Sequence, residues 1–391
     1  MKKFHWQLMS NNILEEDKKA LLNFIKSSDK FTNGVKVREF EKKWSKWLGV
    51  RYSTFVNSGA SANLISLHIL KELEKKKNEV ILPAFTWNSD VISVINAGFK
   101  PIFVDIKLEN LALDEDQVKK KINKKTAAIF LTHAMGFPGI SKEFLNFIKK
   151  KKIFLIEDVC ESHGAQLNNK KLGTFGNISN FSFYYAHHIT TIEGGMICTN
   201  SKKIDTLVKM KRGHGLLRDS QNDKLIRKTK RKFKDLNSDF IFLTEGFNLR
   251  NNELSAVIGL QQLKRLNQII KARNINHNLF LKHLRKDIFF TDFVLKGSSN
   301  YAFQLILKKP NKKLFNKIIS VLKKNSIEYR VGSVGGGNQL RQPYLKSYNF
   351  KQKFKSLKNT EHMHFYGLYI GNYPNLNHKK IKNLCNLLDK I

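Results

Sequence analysis

Ile153-Phe154-Leu155-Ile156-Glu157-Asp158-Val159-Cys160-Glu161-Ser162-His163 is the stretch on which the fold turns. Four consecutive apolar residues followed by two carboxylates describe a strand buried on both faces, delivering polar groups to the loop beyond its carboxyl end. Runs of the same kind occupy residues 79–82, 101–105 and 127–131, with amphipathic segments such as 61–73 between them. That alternation predicts βαβ units and a mostly parallel sheet in an α/β fold. The texture changes after residue 250. Leu254, Val257, Ile258, Leu260, Leu263 and Leu266 fall at helical spacing inside one long helix over 252–284. A strand over 301–307, a helix over 314–323 and the Gly-rich turn 334–337 then predict a smaller α/β unit. With 391 residues the chain has room for two domains, expected at 1–250 and 251–391.

Composition narrows the class. Hydrophobic residues are 41% of the chain and Phe alone numbers 29, which excludes a disordered protein. Cys160, Cys198 and Cys385 lie far apart without CxxC spacing, so neither a disulfide framework nor a cysteine zinc site is expected. Residues 1–19 contain no apolar leader core, and no run approaches the roughly 18 apolar residues of a membrane span, so the expectation is a soluble cytoplasmic protein.

Charge is the unusual quantity. Lys and Arg total 70 against 32 Asp and Glu, a formal balance of +38. The cations are spread along the whole chain, as in the solvated helix faces expected at 72–77 and 149–152. The richest run, KLIRKTKRKFK over 224–234, reads as a loop. Such a field is either ordinary surface composition or a means of steering an anionic substrate. No aromatic-basic motif or helix-turn-helix pattern supports nucleic acid as a partner.

In an open parallel sheet, ligands bind beyond the carboxyl ends of strands, where loops meet helix N-termini. Four such places carry polar or aromatic residues: 57–61, Thr86-Trp87, 158–163 and 182–195. Singly each has a bland reading: Ser58 or Asn57 as a helix cap, Asp158 as another cap, Trp87 as core. Together, a terminal Asp, an aromatic ring and a small-residue phosphate cup suit a flat, phosphorylated, cationic heterocycle, which is the description of pyridoxal phosphate.

The strings PAFTW (83–87), FVDI (103–106), IEDVCESHGA (156–165), GTFG (173–176), SFYYAHHITTIEGGMI (182–197) and GFNLRNNELSAVIGLQQL (246–263) resemble, in order, the DegT/DnrJ/StrS sugar aminotransferases. The resemblance implies a fold-type I architecture: a seven-stranded, mostly parallel sheet between helices, with a smaller C-terminal α/β domain. It also carries roles over position by position. Asp158 pairs with the ring nitrogen, Trp87 stacks on the ring, and Gly59, Ala60 and Ser182 bind the phosphate. Asn248 reaches the phosphate of the other subunit of a homodimer, and Glu161 lies on the O3′ side.

One position departs from the pattern. Where the aminotransferases carry the Lys that binds the cofactor covalently, this chain has His187, and no Lys or Arg occurs anywhere in 172–201. A histidine still moves protons near neutral pH. The substitution is similar to that of the family's 3-dehydratases, which remove the C3 hydroxyl of 4-keto-6-deoxy nucleotide sugars. One branch adds an iron–sulfur cluster, but here no Cys follows His214-Gly215 until Cys385, so no metal is expected. The branch acting on a GDP-linked mannose derivative cycles pyridoxal and pyridoxamine phosphate with L-glutamate, and Glu161 agrees with it. His187 is then the general base. His214, Arg218, Arg250 and Arg330 are candidates for the sugar or the glutamate carboxylate, with a surface role as the alternative for Arg218 and Arg330. His188, Thr190 and Glu193 read as loop-shaping, His133 and His163 as structural. Two other readings remain: a nucleotide-sugar aminotransferase with a displaced lysine, and an inactive binding or regulatory homologue.

Overall fold

A computed structural model describes residues 5–348, 350 and 354–391. Residues 1–4, part of the stretch 1–19 read above, therefore lie outside the described residues. The strands are β1 (Tyr52–Val56), β2 (Glu79–Pro83), β3 (Lys100–Val104), β4 (Thr126–Thr132), β5 (Phe154–Asp158), the short hairpin β6 (Gln166–Leu167) and β7 (Lys170–Lys171), β8 (Ile178–Ser182), β9 (Gly195–Thr199), β10 (Ala302–Ile306), β11 (Tyr329–Val331) and β12 (Gly367–Gly371). The helices are α1 (Glu15–Ser27), α2 (Val35–Leu48), α3 (Gly59–Leu73), α4 (Asn88–Asn96), α5 (Glu115–Lys121), α6 (Lys142–Lys151), α7 (Lys202–Arg212), α8 (Asp223–Lys232), α9 (Glu253–His283), α10 (Lys312–Lys324), α11 (Lys358–Tyr366) and α12 (His378–Asp389).

Seven strands form one sheet in the order β1-β9-β8-β5-β4-β2-β3. The pairs β2–β3, β2–β4, β4–β5 and β5–β8 are parallel, while β9 runs antiparallel to both β1 and β8. Each face is covered by helices, as a parallel sheet requires. On one side Phe40 and Trp44 of α2, Phe144 of α6 and Leu266 of α9 pack around Phe55, Phe181 and Phe183. On the other, Ile65 and Leu70 of α3, Val91 of α4 and Val208 of α7 cover Val80, Phe103 and Ile156. Strands β2 to β5 coincide with the apolar runs of the sequence, whereas β1, β8 and β9 carry Ser, Thr or Asn among their apolar residues and show no such run.

Local chemistry sets the helix ends. Ser58 caps α3 by accepting from the Ser61 amide at 3.0 Å, so that helix starts at Gly59, earlier than the periodic run suggests. It stops at Leu73, which leaves Lys75–Lys77 in the following turn and not on a helix face. Asn252 caps α9 through the Ser255 amide at 2.9 Å. The run at 224–234, expected as a loop, is α8 up to Lys232: Asn222 caps it at 3.0 Å, and Lys and Arg are good helix formers whatever their charge. A three-stranded sheet, β10-β12-β11, with α10, α11 and α12, builds a second core around Phe280, Phe303 and Leu368. Among the described residues no helix is long and apolar enough to cross a membrane.

Candidate active site

The carboxyl ends of β1, β2, β4, β5 and β8 converge on one edge of the large sheet, and the expected cofactor residues gather there. Asp158, the last residue of β5, is buried. Its Oδ1 accepts from the Cys160 amide at 2.9 Å and its Oδ2 from Asn63 Nδ2 at 2.9 Å. Beside it, Gly59 opens α3 against Ser182 and Cys160: a Cβ on Gly59 would stand 2.7 Å from Ser182 Cβ and 3.0 Å from Cys160 Sγ. The approach leaves no space for a side chain, and the first-turn amides of Gly59 and Ala60 have no helical partner. An anionic group fits that cradle.

Trp87 precedes α4 and is 57% exposed, so its indole is a free face and not part of the core. Glu161 Oε2 accepts from the Met135 amide at 2.9 Å. Burial pushes its carboxyl up to about 7, with the Asp158 charge adding and the Met135 amide opposing.

His187 lies in the loop between β8 and β9. Its backbone is fixed by an amide bond to the Tyr184 carbonyl at 3.0 Å and by Asn12 Nδ2, which donates to its carbonyl at 3.3 Å. The imidazole stands against the rings of Tyr301, His163 and Tyr184, with centroids 5.7, 6.0 and 6.4 Å away. Its Nδ1 is buried without a partner. Burial first, then the guanidinium of Arg273, press its pKa down to about 3, so the ring is neutral at physiological pH and a weaker base than a free imidazole. His163 and His188 share that buried environment and are pushed the same way.

The remaining candidates divide into two places. Asn248, His214, Arg218 and Arg250 meet near the end of β1: Arg250 pairs with Asp219 at 2.8 Å, its other nitrogen donates to Asn248 Oδ1 at 3.4 Å, and the Asn57 amide donates to the Leu249 carbonyl at 3.1 Å. His214 adopts a left-handed φ of 64°, and Arg218 lies 5.3 Å from the ring centroid of Phe240. Arg330 stands apart on β11, exposed and paired with Glu328 at 3.2 Å, opposite Tyr369 in the strand register. Among the described residues no group of three His, Cys, Asp or Glu side chains is placed to hold a metal ion.

Several participants escaped sequence reasoning. Arg273 on α9 is buried and donates to the Tyr301 carbonyl at 2.8 Å and to the Asn372 carbonyl. Asn63, Thr86, Asp90 and Thr132 form a buried network behind Asp158. The only sequence signal for it was Asp90 three residues after Trp87.

Three findings place the chain among known proteins. The model of the DegT/DnrJ/EryC1/StrS aminotransferase family matches residues 12–389. A GDP-4-keto-6-deoxy-D-mannose 3-dehydratase of Yersinia pseudotuberculosis is 32% identical over 392 residues, covering 99% of this chain and 98% of the relative. The solved structure of the Escherichia coli GDP-4-keto-6-deoxy-D-mannose-3-dehydratase with bound hydrated PLP superposes with a TM-score of 0.91 at 29% identity, covering 99% of this chain and all of that one. A GDP-perosamine synthase of Vibrio cholerae is also similar, 28% identical with 95% of each chain covered.

Proposed function

The chain belongs to the DegT/DnrJ/EryC1/StrS aminotransferase family, and on that premise we propose that it is a 3-dehydratase dependent on pyridoxal and pyridoxamine phosphate. Its substrate is GDP-4-keto-6-deoxy-D-mannose, with L-glutamate as amino donor. One observation carries the reading: a half-buried imidazole at position 187, in a stretch without Lys or Arg, where the aminotransferases have their covalent lysine.

Bound in this site, the coenzyme supplies an electron-withdrawing ring that lets a proton leave carbon C4′ and the C3 hydroxyl depart. Asp158 would pair with the ring nitrogen and keep it protonated, and Trp87 would stack on one ring face. Gly59, Ala60 and Ser182 would hold the phosphate, with Asn248 of the partner subunit completing that site in a cytoplasmic homodimer. His187, whose ring stands beside Tyr301 and His163, would take the C4′ proton. Glu161 lies on the O3′ side and titrates near neutrality. Arg250, with His214, Arg218 and Arg330, offers the cationic and donor groups for the sugar or the glutamate carboxylate.

The relatives that include GDP-perosamine synthases keep an aminotransferase as the rival. The experiment supplies PLP, glutamate and a panel of 4-keto-6-deoxy nucleotide sugars. Formation of 2-oxoglutarate and a sugar lacking the C3 oxygen is the expected result. A sugar that retains nitrogen, or a borohydride-trapped lysine adduct, overturns it.

A further inference from the structure

Asp90, in the first turn of α4, has no solvent exposure, and its hydrogen-bond partners include no Lys, Arg or His. Its Oδ2 forms a closed triangle with two hydroxyls. Thr132 Oγ1 lies 2.7 Å from it, Thr86 Oγ1 is hydrogen-bonded to it, and the two hydroxyl oxygens are 2.7 Å from each other. With both threonine hydroxyls donating to Oδ2, no hydrogen is left for the contact between them; a proton on the Asp90 carboxyl would free one hydroxyl to fill it.

The other side of Asp90 fixes the orientation of Asn63. Asn63 Nδ2 donates to Asp90 Oδ1 at 2.8 Å and to Asp158 Oδ2 at 2.9 Å, while its Oδ1 accepts from Asn180 Nδ2 at 2.9 Å. The Asn180 Oδ1 in turn accepts from Ser66 Oγ at 2.8 Å. A flipped Asn63 would set its oxygen against both carboxyl groups, so the chain of donors runs one way only. Thus a single amide links the two acids.

We propose that Asp90 is a neutral carboxylic acid that acts as the positioning residue for Asp158, holding it through Asn63 so that Asp158 alone carries the charge offered to a ligand. The proposal rests on Asp158 being the cofactor-facing carboxylate. Burial first, then the Asp158 charge, push the Asp90 pKa well up against the Thr86 and Thr132 hydroxyls, which pull it down. The other titratable groups that feel it are Cys160, beyond β5, and Tyr344, in the turn after residue 342. Neither is a cation able to stabilise a second buried carboxylate. Were Asp90 ionised, two buried carboxylates bridged by one amide would repel each other with no cation among their hydrogen-bond partners.

The test begins on the full chain without cofactor, by infrared difference spectroscopy between the native protein and Asp90→Asn. A protonated carboxylic-acid carbonyl band present in the native protein and absent in the variant is expected; loss of an ionised carboxylate band instead overturns the proposal. PLP binding, followed by fluorescence quenching, then separates charge from positioning. Asp90→Ala leaves Asn63 and the threonines short of partners and should weaken PLP about ten- to a hundredfold, whereas Asp90→Asn, the neutral isostere, should stay within about threefold. Equal losses in both variants refute a neutral Asp90. If Asp90→Ala does not fold, the Asn variant decides by itself. A native protein that binds no PLP defeats the functional reading, and the infrared comparison still reports the state of Asp90.

Discussion

Glu157 and Asp158 are neighbours at the end of β5 whose side chains point to opposite faces of the sheet. Both are buried, yet they are furnished differently. Glu157 is saturated: Oε1 accepts from the Phe175 and Gly176 amides at 2.9 and 2.6 Å, and Oε2 from the Gly173 amide at 2.8 Å and His133 Nε2 at 3.2 Å. His133 Nδ1 accepts from the Gly139 amide at 3.0 Å, which assigns the ring's proton to Nε2. The 173–176 loop exists to make these contacts: Gly173 has φ +87°, and a Cβ there would come within 2.6 Å of the Phe181 ring. Asp158 has only two donors, the Asn63 amide and the Cys160 N–H, and so keeps spare lone pairs. A carboxylate whose acceptor sites are all filled holds the fold; one left partly unfilled is available to a ligand.

The contrast can be broken at Glu157. Glu157→Ala strands three amides and a histidine in the interior, so the expected loss is about 3–5 kcal/mol of stability, read as a fall in the urea midpoint. A loss below about 1 kcal/mol would erase the distinction.

Glu161, one turn further on, sharpens it by pH. A carboxyl raised to about 7 favours folding while protonated, so its contribution is complete below the ordinary glutamate value and is lost as pH rises through 7. Glu161→Gln cannot ionise. Its stability relative to the native protein should therefore grow from pH 5 to pH 8, by about 2–3 kcal/mol at the upper end. A flat difference between the two melting curves across that range would count against the burial described above.

Asp158→Asn shifts the loss from the fold towards the ligand. Its two donors use different oxygens, Oδ1 for the Cys160 amide and Oδ2 for Asn63, so one of them loses its acceptor and stability should fall by about 1–3 kcal/mol, less than at Glu157. PLP binding, measured by absorbance titration, should weaken at least about tenfold, because a neutral amide cannot balance a protonated ring nitrogen. A stable variant with undiminished PLP affinity would remove Asp158 from the ligand's side of the strand. The smallest effect belongs to Arg218→Ala, on an exposed cation resting on an exposed Phe240. Under about 0.5 kcal/mol is expected in thermal melts.

What the sequence made legible follows physical range. The parallel strands β2 to β5 are short apolar runs, and α9 is a long periodic one, so local patterning exposed them. The cradle was legible too, since small residues at 57–61 leave their mark on any helix start. The α8 run is misleading because its density of charge resembles a loop, although the Asn222 cap and ten residues free of Gly and Pro favour a helix. The network behind Asp158 was hidden for another reason: Asn63, Asp90, Thr132 and Asp158 come from four separate elements, and no spacing rule joins them. Arg273 was concealed by its helix, where a cation ordinarily faces water; here the Tyr301 and Asn372 carbonyls receive it in the interior.

Trp6 illustrates how far such joins can reach. Its indole nitrogen donates to the Gly371 carbonyl at 2.9 Å, its own carbonyl accepts from the Glu328 amide at 2.8 Å, and its ring meets Phe303 edge-on. The seat for this residue is made only when the ribosome has translated some 365 positions more, roughly 20–70 s later at the usual pace of synthesis. Until then the indole has nowhere native to go, and the last clasp of the molecule must close after translation is nearly over.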